Sequence, residues 1–306
     1  MTITVLSAAA AVLASWAMVF AVPQAPTPAQ PAPSAPSAPR DDSAAERLGW
    51  ELGMQAWTFR DRTAFEAIET AGKLGLKYIE LYPGQALAPG EPKAEVGPAL
   101  TAAQIEALKK KLQGAGVKAV SYGVVSLKND EAAARKQFEF VKGMGMRTLV
   151  TEPTPDARDM VSRLADEYNV LVAIHNHPKP SMYWNPDTVL EAIKGRSPLM
   201  GACADTGHWP RSGLRSIDSL KKIEGHVIEL HFKDITNGRD AVWGTGDSDA
   251  KGMLAELKRQ GFRGQIYVEY EFGSGKELEA NVARCIEFFD RAARELGAEP
   301  AAAPAR

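Results

Sequence analysis

Cysteine is nearly absent from this chain: Cys203 and Cys285 are the two in 306 residues. One falls in a strand-like run and the other in a helix-like one, so two buried free thiols are favoured over a disulfide, and a disulfide-stapled scaffold is excluded. An excess of either charge is also missing. Lys and Arg number 36 against 38 Asp and Glu, the net charge is -2, and basic residues are scattered among acidic ones, so no electrostatic footprint for nucleic acid appears. No strand-like run is followed by a Gly-x-Gly-x-x-Gly turn, which removes the simplest dinucleotide-binding reading.

Charge is absent altogether from the first 39 residues. Residues 8–22 are apolar and alanine-rich, and residues 23–39 are nearly all Pro, Ala, Gln, Ser and Thr. The expectation is a signal peptide or membrane anchor over residues 1–22, then a disordered Pro/Ala-rich linker over residues 23–45. The usual basic start of a signal is missing, because no Lys or Arg precedes Arg40. Residues 3–22 are long enough to span a bilayer, so an uncleaved N-terminal tether stays open. Either way the chain is expected to be exported, to a periplasmic or extracellular location. Residues 46–297 have ordinary globular composition and suit one α/β domain, and residues 298–306 read as a disordered tail.

Within that domain, strand-like runs begin near Glu51, Lys77, Val117, Arg147, Val170, Gly201, Val227 and Gln265. Each is followed by an amphipathic segment, and eight such units argue for a (β/α)8 TIM barrel over an open sheet. The helix signals are legible one by one. Thr101 and Gln104 form a capping box ahead of Ile105, Leu108 and Leu112, with Gly114 and Gly116 closing the segment. Asp130 opens the next, Pro186 and Asp187 a third, and the last helix runs over residues 278–296. Two connections are long, residues 83–100 and 234–248, and are expected to wall the substrate pocket.

Four strand-like runs end in ionisable side chains: Leu149-Val150-Thr151-Glu152, Ala202-Cys203-Ala204-Asp205, Val227-Ile228-Glu229-Leu230-His231 and Ile266-Tyr267-Val268-Glu269. Any one of them alone reads as readily as a solvated or salt-bridged strand end. In a barrel, all four converge at the carboxyl end, where this fold builds its active site. Three carboxylates and one imidazole there point to a divalent metal ion, Mn, Co, Mg or Zn. An octahedral shell with these four ligands leaves two positions for adjacent sugar oxygens, which acidifies the intervening C–H and stabilises an enediolate.

The run Asp205-Thr206-Gly207-His208, then His231-Phe232-Lys233-Asp234, Gly244-Thr245-Gly246, and Gly261-Phe262-Arg263-Gly264 ahead of Val268-Glu269 resembles the xylose isomerase-like barrel superfamily of sugar phosphate isomerases and epimerases. The resemblance spans roughly residues 52–289. It implies that Glu152, Asp205, His231 and Glu269 bind the metal, that Glu152 and Glu269 act as paired acid and base, and that His208 contacts substrate or metal. Many relatives carry Glu-Asn-His after the fifth strand, whereas this chain reads His175-Asn176-His177. His175 and His177 share one face, so either could act as general acid or base or as a further ligand, a hydrogen-bonded structural pair being the alternative. Lys233 could polarise a carbonyl or hold an oxyanion, or be spent in a salt bridge to Asp234 or Glu271.

Trp57, Phe59, Trp184, Trp209 and Trp243 fall in rim loops and are candidates for packing on a sugar, though rim aromatics also serve as plain core. Glu80 ends the second strand and either hydrogen-bonds substrate or braces a ligand. No Arg/Lys cluster or glycine-rich cradle for a phosphate is apparent. The expectation is a metal-dependent sugar isomerase or epimerase working on a non-phosphorylated or keto sugar, with an oligomer left open. The alternative is β-elimination or hydration of a 3-keto-glycoside at the same metal. A silent sugar-binding barrel or an endonuclease of the superfamily follows behind.

Overall fold

The computed structural model describes residues 40–298. The expected signal or anchor, residues 23–39 of the linker, and residues 299–306 of the tail lie outside the described residues. Eight parallel strands close into a barrel: β1 (Trp50–Gln55), β2 (Tyr78–Leu81), β3 (Lys118–Val125), β4 (Thr148–Thr151), β5 (Leu171–His175), β6 (Met200–Asp205) and β7 (Val227–Phe232), with β8 (Asp234–Thr236) and β9 (Arg239–Ala241) forming a separate hairpin before β10 (Gly264–Val268) completes the ring against β1 and β7. This is the expected (β/α)8 TIM barrel, and every barrel strand starts within one residue of its sequence signal.

The helices form where apolar spacing and caps coincide. In α2 (Ala64–Lys73), Ala64, Ala67, Ile68 and Ala71 are buried at helical spacing, and Thr63 with Glu66 closes a capping box at the start. Thr101 and Gln104 do the same for α3 (Ala102–Ala115), and Asp130 caps α4 (Glu131–Met144). Both end on a left-handed glycine, Gly116 at φ 67° and Gly145 at φ 74°. α5 (Arg158–Tyr168) and α6 (Pro186–Ile193) continue the ring, and a short α7 (His208–Arg211) precedes α8 (Ser216–Lys222) and α9 (Ala250–Arg259). The final α10 (Gly275–Ala298) buries Leu278, Val282, Ile286, Phe289, Ala293 and Leu296 along one stripe. Among the described residues no helix is long and apolar enough to cross a membrane.

Residues 40–45 depart from the linker expectation. Arg40 pairs with Asp290 at 2.7 Å, and α1 (Ser43–Leu48) buries Ala44 and Ala45, so residues 40–45 pack with the domain rather than belonging to the linker. Polar composition hid this, because the contacts that order the segment come from α10, some 250 positions away. Residues 234–248 are also more structured than a plain loop. They carry the β8–β9 hairpin, and the Asp234 carboxylate accepts from the amides of Gly244 (2.9 Å), Gly246 (2.9 Å) and Ser248 (3.1 Å). Cys203 and Cys285 are both free and buried.

Candidate metal centre

Strand side chains alternate between faces, and β7 sorts its residues accordingly. Leu230 and Phe232 join the apolar core, while Glu229, His231 and Lys233, the last just past the strand, rise along the lumen as three levels. Barrel interiors are usually filled by branched apolar side chains. Here the upper lumen is polar and needs partners at each level.

At the lowest level the Ser121 hydroxyl donates to Glu229 Oε2 at 2.5 Å and lies 2.8 Å from the Tyr267 hydroxyl. Burial, with the Glu80 carboxylate nearby, pushes the Glu229 carboxyl well above the usual range. In the middle, His231 Nε2 is 2.9 Å from Glu80 Oε2, and Gln55 Nε2 donates to Glu80 Oε1 at 3.1 Å. His231 Nδ1 lies 3.1 Å from Glu269 Oε2 without hydrogen-bond geometry. Burial opposes charge on His231, but Cys203, Glu80 and Glu269 around it raise its pKa well above the ordinary value.

The top level holds the carboxylates of Asp205 and Glu269. The Lys233 ammonium, fully buried, donates to Asp205 Oδ2 and Glu269 Oε2 and lies 3.5 Å from Glu271 Oε1. Of the two sequence alternatives for its ion pair, Glu271 is therefore the partner, while Asp234 is committed to its own loop. Burial would raise the Asp205 and Glu269 carboxyls, yet Lys233 and the imidazoles around them hold both well below the usual carboxylate range. Asp205 Oδ1 accepts from the amides of Gly207 and His208, both at 2.8 Å. Asn176 then clamps the ends of β5 and β6: its amide donates to the Asp205 carbonyl at 2.9 Å, and its oxygen accepts from the Asp205 amide at 2.8 Å.

Ligand atoms of His175, Asp205, His231 and Glu269 all lie within 4.8 Å of one another. Three of these are members of the expected set. The fourth expected ligand, Glu152, sits in a neighbouring group with His175 and His177. Its Oε1 is 3.2 Å from His175 Nδ1, receives the His177 amide at 3.1 Å and contacts His177 Nδ1, while Ser181 donates to Oε2 at 3.0 Å. Burial opposes charge on Glu152, but the hydrogen bonds from His175 and His177 keep its pKa far below the usual value. His175 thus bridges the two groups, its Nε2 3.6 Å from Asp205 Oδ2. His208 is buried, with Nε2 3.4 Å from Asp205 Oδ2, and burial with the Lys233 charge brings its pKa down to about 2.

The donor set fits a divalent cation on an observation independent of the count. His231 keeps one buried nitrogen unpartnered beside a carboxylate while the other is held by Glu80, the arrangement by which a second carboxylate orients a metal-binding histidine. Glu80 is fully buried, with its two oxygens taken by Gln55 and His231. Phe59, Trp209 and Trp243 do not stand at the rim as the sequence suggested. All three are buried in the core, Phe59 under the Arg62 guanidinium and Trp243 edge-on to Phe232 at 4.7 Å, so none offers an open ring face. Trp57 is 42% exposed, edge-on to Tyr82 at 5.1 Å. Sequence reasoning passed over Asn176, Gln55, Ser181 and Arg211. Asn176 stood between the two histidines already singled out, but the others carry no pattern that marks them.

Residues 156–292 match the xylose isomerase-like TIM barrel family. An uncharacterised protein from Parabacteroides distasonis of known structure is 34% identical, over 79% of this chain and 99% of that one, with a TM-score of 0.66. The chain belongs to the xylose isomerase-like TIM barrel family. Other members of this fold are more distant. A D-allulose 3-epimerase from Methylomonas sp. is 17% identical over 79% of this chain and 98% of its own, with a TM-score of 0.64. A probable 3-DHS dehydratase from Bacillus anthracis is 13% identical over 78% and 98%, with a TM-score of 0.60. At such identity these two share the xylose isomerase-like fold alone. No curated protein matches the chain.

Proposed function

We propose that this protein is a divalent-metal-dependent enzyme that isomerises or epimerises a non-phosphorylated or keto sugar by moving a proton next to a carbonyl. The observation that carries the reading is the convergence of His175, Asp205, His231 and Glu269 at the carboxyl ends of their strands, with His231 Nδ1 unpartnered and Glu80 fixed behind it. Asp205, His231 and Glu269 would hold the cation, with the fourth place taken by Glu152 or by His175, which stands nearer the other three. A cation there supplies the charge that stabilises the enediolate formed when the proton leaves.

The chain's own groups supply the proton transfers. Glu152 is an ionised carboxylate backed by two imidazoles, one of them the half-exposed His177, so a proton it takes up has a path to solvent. Glu269 stands on the other side of the cluster with Lys233 against it. Two such groups are what inversion at a carbon requires. The cations near the centre are already engaged, Lys233 by three carboxylates and Arg211 by Asp240, which disfavours a phosphorylated substrate.

A second reading, β-elimination from a 3-keto-glycoside, is favoured by His177. An imidazole hydrogen-bonded to the base and open to solvent can protonate a departing oxygen. Incubation of the Mn²⁺- or Co²⁺-loaded protein in D2O with free sugars and with 3-keto-glycosides, followed by NMR and mass spectrometry, separates the two. Deuterium at the carbon beside the carbonyl with a rearranged sugar supports isomerisation or epimerisation, and release of the aglycone supports elimination. If neither class of sugar shows exchange or release, the metal-enzyme reading falls.

A further inference from the structure

His208 meets Arg211 one helical turn later, and the contact determines which of its ring nitrogens carries the proton. Arg211 NH1 lies 3.1 Å from His208 Nδ1. A guanidinium has donors and no acceptor, so Nδ1 must present its lone pair. A doubly protonated ring would set N–H against N–H at that distance. The ring is therefore neutral, and its proton sits on Nε2, the nitrogen 3.4 Å from Asp205 Oδ2.

Arg211 is held from the far side by the β8–β9 hairpin. Its Nε donates to the Gly238 carbonyl at 3.2 Å, and NH2 donates to Asp240 Oδ2 at 3.1 Å. The same Asp240 oxygen accepts the Glu271 amide at 3.1 Å, tying the hairpin to the segment after Glu269. NH1 is also 3.9 Å from Glu271 Oε2. The guanidinium is thus fixed by groups from two loops, so its orientation does not depend on His208.

We propose that Arg211, anchored by Asp240, is a positioning residue that locks His208 in the Nε2–H tautomer, making it a fixed hydrogen-bond donor to a substrate oxygen beside Asp205 and barring its Nε2 from the metal. The resemblance left His208 between substrate and metal; the tautomer assigns it to substrate. The role toward substrate rests on the metal-enzyme reading, whereas the tautomer itself does not. The hairpin, which carries Asp240 and Gly238, thereby controls a substrate contact without touching the sugar.

The test is long-range ¹H–¹⁵N correlation NMR on protein labelled at histidine, with the His208 signals assigned by their loss in His208→Gln. Wild type should show a protonated Nε2 and an unprotonated Nδ1. Arg211→Met should give a tautomer mixture or an Nδ1–H ring, and Arg211→Lys, which keeps one donor, should restore the wild-type pattern at least in part. If Arg211→Met does not fold, Asp240→Asn serves instead, with a smaller shift in the same direction. An Nδ1–H ring in wild type, or an unchanged ring in a folded Arg211→Met, overturns the proposal. In the sugar assay, Arg211→Met should raise KM about tenfold or more at unchanged metal content. A tautomer change without any sugar turnover in wild type would sink the functional reading and leave the lock standing.

Discussion

Lys233→Met puts the charge balance of the centre to a direct test. In the metal-free protein the Lys233 ammonium is fully buried and is the shared partner of Asp205 and Glu269, with Glu271 at 3.5 Å. Methionine nearly matches its length but removes the charge, leaving two buried carboxylates facing each other. Breaking a buried pair by removing one partner costs about 3–5 kcal/mol. For a domain of this size each kcal/mol moves Tm by roughly 2–4 °C, so the metal-free variant should melt about 6–20 °C below wild type. Mn²⁺ should then act unequally. Without the ammonium between them, Asp205 and Glu269 are freer to take the ion, and metal at a hundred times its Kd adds about 2.7 kcal/mol to whichever form binds it. Calorimetric melting of both proteins, with chelator and with saturating Mn²⁺, reads the result. The gap should narrow markedly with metal. A loss under about 1 kcal/mol, or a gap unchanged by Mn²⁺, would refute the argument that Lys233 balances the ligand carboxylates.

Three further outcomes are expected. Glu80→Gln should weaken Mn²⁺ or Co²⁺ binding by about 10–100-fold in titration calorimetry with little change in fold, because it loosens the carboxylate that orients His231; equal affinity would remove Glu80 from that role. The neutral His208, at about 2 in the fold against 6.5 unfolded, makes the metal-free protein lose stability as pH falls from 6.5, since only the unfolded chain gains that proton. His208→Gln should flatten that loss by up to about 1.4 kcal/mol per pH unit, read by urea unfolding between pH 6 and 4. His231 acts with the opposite sign: its raised pKa gives a contribution complete below 6.5 and lost as pH rises through the folded value. Gly201→Ala should destabilise by about 1–3 kcal/mol by melting, because its new methyl would lie 2.4 Å from the His226 carbonyl between β6 and β7; a neutral effect would show that the strands separate easily.

Much of the barrel was legible because its signals are local. Thr101, Asp130 and Pro186 mark helix starts by chemistry within four residues, and the apolar runs mark strands by length and flanks. The same locality picked out Asp205, His231 and Glu269, since a strand-end position in a barrel already says where a side chain points. What could not be read was partnership. For Glu80 the sequence left substrate contact and bracing of a ligand both open, and only the closure of β2 toward the lumen face of β7 placed it behind His231, 151 positions away. Trp209 and Trp243 looked like rim aromatics, yet their burial depends on what packs over them. The packing of residues 40–45 was hidden for the same reason: Arg40 is held by Asp290, from the opposite end of the chain.

By itself, then, the amino-acid order determined the repeating strand-helix units, their caps and the ionisable residues delivered to one end of the barrel, all consequences of period and short-range hydrogen bonding. The tertiary structure decided how those residues divide the work. Which imidazole stands nearest the carboxylates, which nitrogen of His231 stays free, that Lys233 serves Asp205 rather than Asp234, and that Arg211 reaches back to His208 all depend on distances of a few ångströms between distant segments. Coulomb and hydrogen-bond energies change steeply over such distances, and sequence spacing does not encode them.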